Sequence, residues 1–167
     1  ANKAASRSLE DLAKEYLFGP MEITDWKWVP LHTPEISHGG GGIRLSTRDL
    51  LKFGQLILSK GSWNGQQLIS ADWIKQTTTP YKNLTMPDNF KCKYGYQIWK
   101  FSDHLVELGR FKKPHEIWAA RGIGENFIWI FPEIDAVVVG TARNVRKYLY
   151  RGILWEHVVP ALFEEER

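Results

Sequence analysis

A serine hydroxyl becomes a nucleophile when a base stands within hydrogen-bond reach, and a lysine one helical turn further on is one way to supply it. No serine in this chain has lysine three residues on, and the Gly-x-Ser-x-Gly elbow is absent as well. Thr24-Asp25-Trp26-Lys27 is the nearest imitation, but it falls in a stretch without helical period, so its spacing reads as chance. Tyr81-Lys82-Asn83 spells Tyr-x-Asn in a polar loop. The five histidines, at 32, 38, 104, 115 and 157, have no metal-ligand spacing, and no cysteine cluster or His-Glu-x-x-His accompanies them. His38 could line a cleft, though a surface or capping role suits it better. No metal or other cofactor is expected.

The other feature that could do chemistry is the run Gly39-Gly40-Gly41-Gly42. A phosphate loop of the Walker type needs a lysine after its glycines, and here Ile43-Arg44-Leu45 follow. A dinucleotide fingerprint needs a strand before it, and Pro34–His38 make a poor one. The better role is steric: glycines admit positive φ and close backbone approach.

Around these residues the elements read as follows. Ser8-Leu9-Glu10-Asp11 starts a helix whose apolar face is Leu9, Leu12, Ala13, Tyr16 and Leu17, stopped by Gly19-Pro20. Residues 21–45 lack a clean period and read as irregular. Ser46-Thr47-Arg48-Asp49 starts a second helix with Leu50, Phe53, Gly54, Ile57 and Leu58 on one face, closed by Gly61. Trp63-Asn64-Gly65 is a turn, Ser70 caps a short helix that ends before Pro80, and residues 80–93 are loop-like. Tyr94–Phe101, Glu116–Ala120, Asn126–Phe131 and Ala136–Thr141 are rich in aromatic and β-branched residues and read as strands. The last two are close enough in sequence to form a hairpin. Helical spacing returns over 146–163. The order predicts an α+β fold: an antiparallel sheet with flanking helices and a closing C-terminal helix.

At 167 residues there is room for one domain, with 43% hydrophobic and 25% charged residues. The net charge of +3 is mild and no basic block exceeds two residues, so nucleic acid is not an expected partner. No run of about 18 apolar residues could span a bilayer, and no charged-then-apolar start suggests a signal peptide. The lone Cys92 excludes an internal disulfide framework. The eight tryptophans read as core residues ahead of a sugar-binding or apolar-ligand surface.

Several segments together resemble one family: Ser8–Ile23 (SLEDLAKEYLFGPMEI), Gly39–Gly61 (GGGGIRLSTRDLLKFGQLILSKG), Trp63–Trp73 (WNGQQLISADW), Tyr94-Gly95-Tyr96 and Arg121–Val139 (RGIGENFIWIFPEIDAVVV). The chain resembles the C-terminal half of the serine β-lactamase-like hydrolases, which include class C β-lactamases, penicillin-binding proteins, esterases and 6-aminohexanoate-dimer hydrolases. The resemblance covers nearly the whole chain, in order. It implies a single partial domain over residues 1–167. In the family, Ser-x-x-Lys and Tyr-x-Asn lie upstream of the segment like Ser8–Ile23, so no catalytic residue carries over, and the chain alone is expected to be inactive. The implied chemistry of the complete domain is acyl transfer from an ester, amide or β-lactam carbonyl, with a small-molecule acyl substrate. The alternative is a binding module, or a degenerate homologue, using exposed aromatics.

What the resemblance does place here is the family's third motif, a strand bearing Lys-Thr-Gly or His-x-Gly that walls the cleft. The matching stretch is Ala120-Arg121-Gly122-Ile123-Gly124, which departs from the pattern in carrying Ala120 at the Lys/His position and Glu125-Asn126 where relatives have Gly-Gln. Gly122 and Gly124 would permit close approach of substrate, and the Ile123 N–H could face a developing oxyanion. Arg121 could pair with a substrate carboxylate or could be a surface residue at a strand end. The glycine run is expected to form a tight crossing beneath the active-site region. The resemblance further implies a periplasmic or secreted location and a sheet edge left open for a homodimer or swapped assembly.

Overall fold

The computed structural model describes residues 7–29, 39–85, 91–101, 115–142 and 152–163. Helix α1 (Leu9–Ala13) starts at Ser8, whose hydroxyl accepts from the Asp11 N–H at 3.0 Å. The Asp11 carboxylate in turn accepts a hydrogen bond from the Ser8 hydroxyl, at 2.7 Å. The helix continues as a π-helical turn, Lys14–Phe18. That wider turn changes which residue faces inward. Phe18 is buried and Tyr16, expected inside, is exposed.

The stretch expected to be irregular holds a two-stranded antiparallel ribbon, β1 (Trp26–Trp28) against β2 (Ile43–Leu45). Each strand alternates apolar, charged, apolar, and each sets its charged residue, Lys27 or Arg44, toward solvent. Ser46 then caps α2 (Thr47–Leu58), accepting from the Asp49 N–H at 3.1 Å. Burial alone would raise the pKa of the Asp49 carboxyl. Hydrogen bonds from Ser46 and Lys52, with the Lys52 charge, outweigh it and hold the group below its ordinary value. Lys52 also donates to the carbonyls of Met21, at 2.9 Å, and Glu22, at 3.1 Å, which ties α2 to the end of the first helical segment.

A small hairpin, β3 (Ser62–Trp63) with β4 (Gln66–Gln67), turns at Asn64-Gly65. Helix α3 (Ala71–Thr78) follows, capped by Ser70. The loop expected over 80–93 carries two strands, β5 (Lys82–Thr85) and β6 (Lys91–Tyr94), paired antiparallel. The strand expected over Tyr94–Phe101 is interrupted: β6 ends at Tyr94, Gly95–Ile98 turn, and β7 is Trp99–Lys100. The next strand, β8, is shifted along the chain from Glu116–Ala120 to Trp118–Gly122. β9 (Asn126–Phe131) and β10 (Ala136–Gly140) form the expected hairpin, through a 3-10 turn at Pro132–Ile134. Glu133 in that turn accepts from the Glu116 N–H at 3.0 Å and bonds His115 Nδ1 at 2.7 Å, pinning the approach to β8. The closing segment is described from residue 152, with a π-helical turn (Leu154–Val158) leading into α4 (Val159–Leu162). The earlier part of the expected helix lies outside the described residues.

Among the described residues, six strands form one antiparallel sheet in the order β10-β9-β8-β7-β6-β5. Its two faces follow from the register. Ala119, Trp129 and Val138 are paired across β8, β9 and β10 on one face, which packs against Leu154, Trp155, Val159 and Phe163 of the closing segment. Ile128 and Val137, on the other face near that edge, meet α2 at Gly54. Helix α2 was expected to bury one face, and it buries two. Leu56 and Phe53 join Phe18, Met21 and Ile23 in a second cluster, while Gly54 presses on the sheet. Of the eight tryptophans, only Trp73 is exposed, which agrees with the core reading.

Candidate functional site

The stretch with chemical interest is the end of β8 and the turn into β9. Ala120 and Arg121 are half-buried, and Gly122, Ile123 and Gly124 are exposed, with Ile123 fully so at 101%. Pairing sets Ala120 opposite Ile128, Arg121 opposite Phe127 and Gly122 opposite Asn126. Strand alternation therefore turns Ala120 and Gly122 toward the α2 side of the sheet and Arg121 toward the side of the closing helix. There the Arg121 guanidinium stands over the Trp99 ring, 5.9 Å from its centroid. Arg121, Gly122, Glu125, Asn126, Phe127 and Trp129 line a shallow hollow at this end of the sheet.

The two glycines of the stretch are there for different reasons. Gly124 has φ +87°, a conformation side chains rarely adopt. Gly122 is under no such demand. A Cβ added to it would meet Asn126 Cβ at 3.7 Å, an ordinary contact. No packing within the described residues requires glycine at 122, so its missing side chain leaves the strand end uncovered.

Sequence reasoning noted Asn126 only as a departure from the Gly-Gln of relatives and gave it no role. Its side chain joins the turn to the end of β10: Nδ2 donates to the Ile123 carbonyl at 3.0 Å, and Oδ1 accepts from the Ala142 N–H at 3.1 Å. The residue next to Ala142 continues the connection, because Thr141 Oγ1 bonds Thr47 Oγ1, at the first residue of α2, at 2.8 Å.

The run Gly39–Gly42 is exposed at Gly39 and Gly40 and half-buried at Gly41 and Gly42. It leads first into β2, not directly into the capped helix. Trp28 Nε1 donates to the Gly41 carbonyl at 3.0 Å, the Val29 N–H donates to that of Gly42 at 2.8 Å, and Gly42 has φ +83°. Glycine thus lets the chain turn back onto β1. Of the other sequence candidates, Trp26 and Lys27 are strand residues of β1 and Tyr81 is an exposed residue before β5. Tyr81 and Trp73 each stand 5.4 Å, centroid to centroid, from Tyr96, making an exposed aromatic cluster. His32, His38 and His104 lie outside the described residues. Among the described residues no group of three or more His, Cys, Asp or Glu side chains could hold a metal. No helix among them is long and apolar enough to cross a membrane.

Comparison with known proteins bears on this arrangement at two levels. None of the curated proteins matches the chain. Solved structures do. A protein described as a 6-aminohexanoate-dimer hydrolase from Bacillus anthracis superposes with a TM-score of 0.71 at 16% identity, covering 96% of this chain and 39% of its own length. A penicillin-binding protein homolog from Caulobacter crescentus gives a TM-score of 0.61 at 12% identity, covering 97% of this chain and 54% of its own. At such identities the likeness is one of fold, and the chain spans about two fifths to half of these structures. The model of the Beta-lactamase family matches residues 1–149. With this match over most of its length, the chain belongs to the Beta-lactamase family of serine hydrolase-like proteins, of whose fold it spans a part.

Proposed function

We propose that the chain is the cleft-wall portion of a serine hydrolase that transfers the acyl group of an ester, amide or β-lactam to its serine and then to water. Residues upstream of this stretch would supply the nucleophilic serine, its lysine and the Tyr-x-Asn. In this reading β8 and the turn after it form one wall of the cleft. Ala120 and Gly122 border the substrate, Gly124 keeps the turn low, and a backbone N–H of the Ile123 turn meets the developing oxyanion. Arg121, at the rim of the hollow, receives a substrate carboxylate. The observation that carries the proposal is Gly122, a strand residue with room for a side chain, without one, next to the fully exposed Ile123.

The test uses the chain as given and the chain extended by its upstream coding residues. The given chain should leave a chromogenic cephalosporin and a short-chain p-nitrophenyl ester unchanged, and a fluorophosphonate probe should label none of its serines. The extended protein should turn over at least one substrate and be labelled. In it, Arg121→Ala should weaken carboxylate-bearing substrates about tenfold to a hundredfold, the loss expected for one charge-assisted hydrogen bond. Stoichiometric serine labelling of the given chain would overturn the assignment of roles.

A further inference from the structure

The tip of the β8–β9 hairpin contains one peptide whose orientation is fixed by a side chain. Ala142 offers an N–H and Ile123 a carbonyl, so the amide of Asn126 is oriented without ambiguity: its oxygen faces Ala142 and its nitrogen faces Ile123. The Ile123 carbonyl is thereby held toward Asn126, at 3.0 Å from its Nδ2. A peptide unit is planar and trans, so its C=O and N–H point in opposite directions. The N–H that shares this plane belongs to Gly124, and it points away from Asn126. Among the described residues that N–H has no acceptor, and Gly124 is exposed.

From this geometry we infer that Asn126 is a positioning residue. By holding the Ile123 carbonyl against its own amide, it presents the Gly124 N–H as an anion donor at the cleft wall, one residue beyond the Ile123 N–H that the family resemblance singles out. The inference rests on the hydrolase reading and specifies it further. Two observations on the turn fit the role. Glu125 is held at φ +65° beside Gly124 at +87°, a backbone shape that costs free energy and persists where neighbours enforce it. Asn126 is also anchored to the chain after β10, so the donor is set by the sheet and not by the loop alone. The Gly124 N–H cannot be deleted by proline, whose φ near −65° is incompatible with +87°. Asn126 is therefore the residue to vary.

The experiment compares Asn126→Ala and Asn126→Asp. Aspartate keeps an acceptor for Ala142 but replaces the donor to Ile123 with an oxygen. In the 167-residue chain, amide exchange followed by nitrogen-15 NMR should be about tenfold or more faster at Ala142 in the alanine variant and near wild type in the aspartate variant. The Gly124 resonance should shift in both. An unmoved Gly124 resonance in both variants overturns the inference. In the extended protein, assayed with p-nitrophenyl butyrate, both variants should lower kcat about tenfold to a hundredfold, as for a displaced donor, with KM changed less than about twofold. If the aspartate variant keeps full kcat, Asn126 acts only as a clamp on Ala142, and the inference fails while the hydrolase reading stands. If the wild-type extended protein has no turnover, the hydrolase reading fails, and the NMR arm still decides the orientation of the peptide.

Discussion

Replacing Gly54 with alanine should destabilise the protein, although alanine is the better helix former. On an otherwise undisturbed helix the exchange gains about 1 kcal/mol from propensity. Here the added Cβ would lie 2.4 Å from Val137 Cγ1 and 2.8 Å from Ile128 Cγ2, distances that real Cβ atoms essentially never show. Valine cannot escape by rotating, because its second methyl is already 3.4 Å from the same point. The helix must move off the sheet or the strands must shift, and overpacking of this kind costs about 1–3 kcal/mol. With two methyls in conflict the upper end applies, leaving a net loss of about 2 kcal/mol. For a chain of this size that is a fall in Tm of about 4–8 °C. Urea unfolding followed by tryptophan fluorescence should show a lower midpoint at unchanged slope. Combined with Val137→Ala, the loss should be smaller than the sum of the single changes by about 1 kcal/mol, since the nearer obstacle is gone. A Gly54→Ala protein as stable as wild type, or additive behaviour of the pair, would refute the claim that glycine sets the distance between α2 and the sheet.

Other outcomes follow from the same structure. Ser46→Ala should cost about 1 kcal/mol in urea unfolding through loss of the α2 cap. Asp49 has a folded pKa below its ordinary value, so the stability it contributes is present above about pH 4 and is lost as pH falls through the folded value. Asp49→Asn should accordingly be destabilising at pH 7 and converge with wild type in acid, read from urea midpoints across that range. Gly140→Ala would set a methyl 2.4 Å from Phe127 Cζ and should lower Tm, an effect that Phe127→Leu should relieve. Among the described residues β10 is paired on one side only, and we expect concentration-dependent dimers through that edge. A monomer by light scattering at high concentration would count against it.

What the sequence disclosed depended on how local each signal was. Helix starts were legible because a cap is written within four residues. Ser8, Ser46 and Ser70 each accept from the N–H three residues on. The β9–β10 hairpin was legible for the same reason, with its turn contained in Pro132–Asp135. The ribbon of β1 and β2 was not, because three-residue strands such as Trp26–Trp28 are too short for an alternation to stand out. Lys91-Cys92-Lys93 alternates too, over three residues, and was read as loop although Cys92 is buried. Tyr16 and Phe18 exchanged places through a π-helical turn that no residue pattern announces. At the site, the sequence marked Gly122 and Gly124. It marked Asn126 only as a departure from the family pattern and could not show its bond to Ala142, sixteen residues away.

The wedging of α2 between two apolar clusters also has a consequence for synthesis. The partners of its first face, Phe18, Met21 and Ile23, precede it in the chain and are available as soon as the helix emerges. The partners of its second face arrive much later: from Gly54 to Val137 is 83 residues. At translation rates of about 5–20 residues per second, that face waits for on the order of 4–17 s. During this interval it is open to whatever apolar surface comes near. A glycine at its centre offers a passing chain little to grip, so the residue that lets the finished helix lie close to the sheet also keeps the unfinished one inconspicuous.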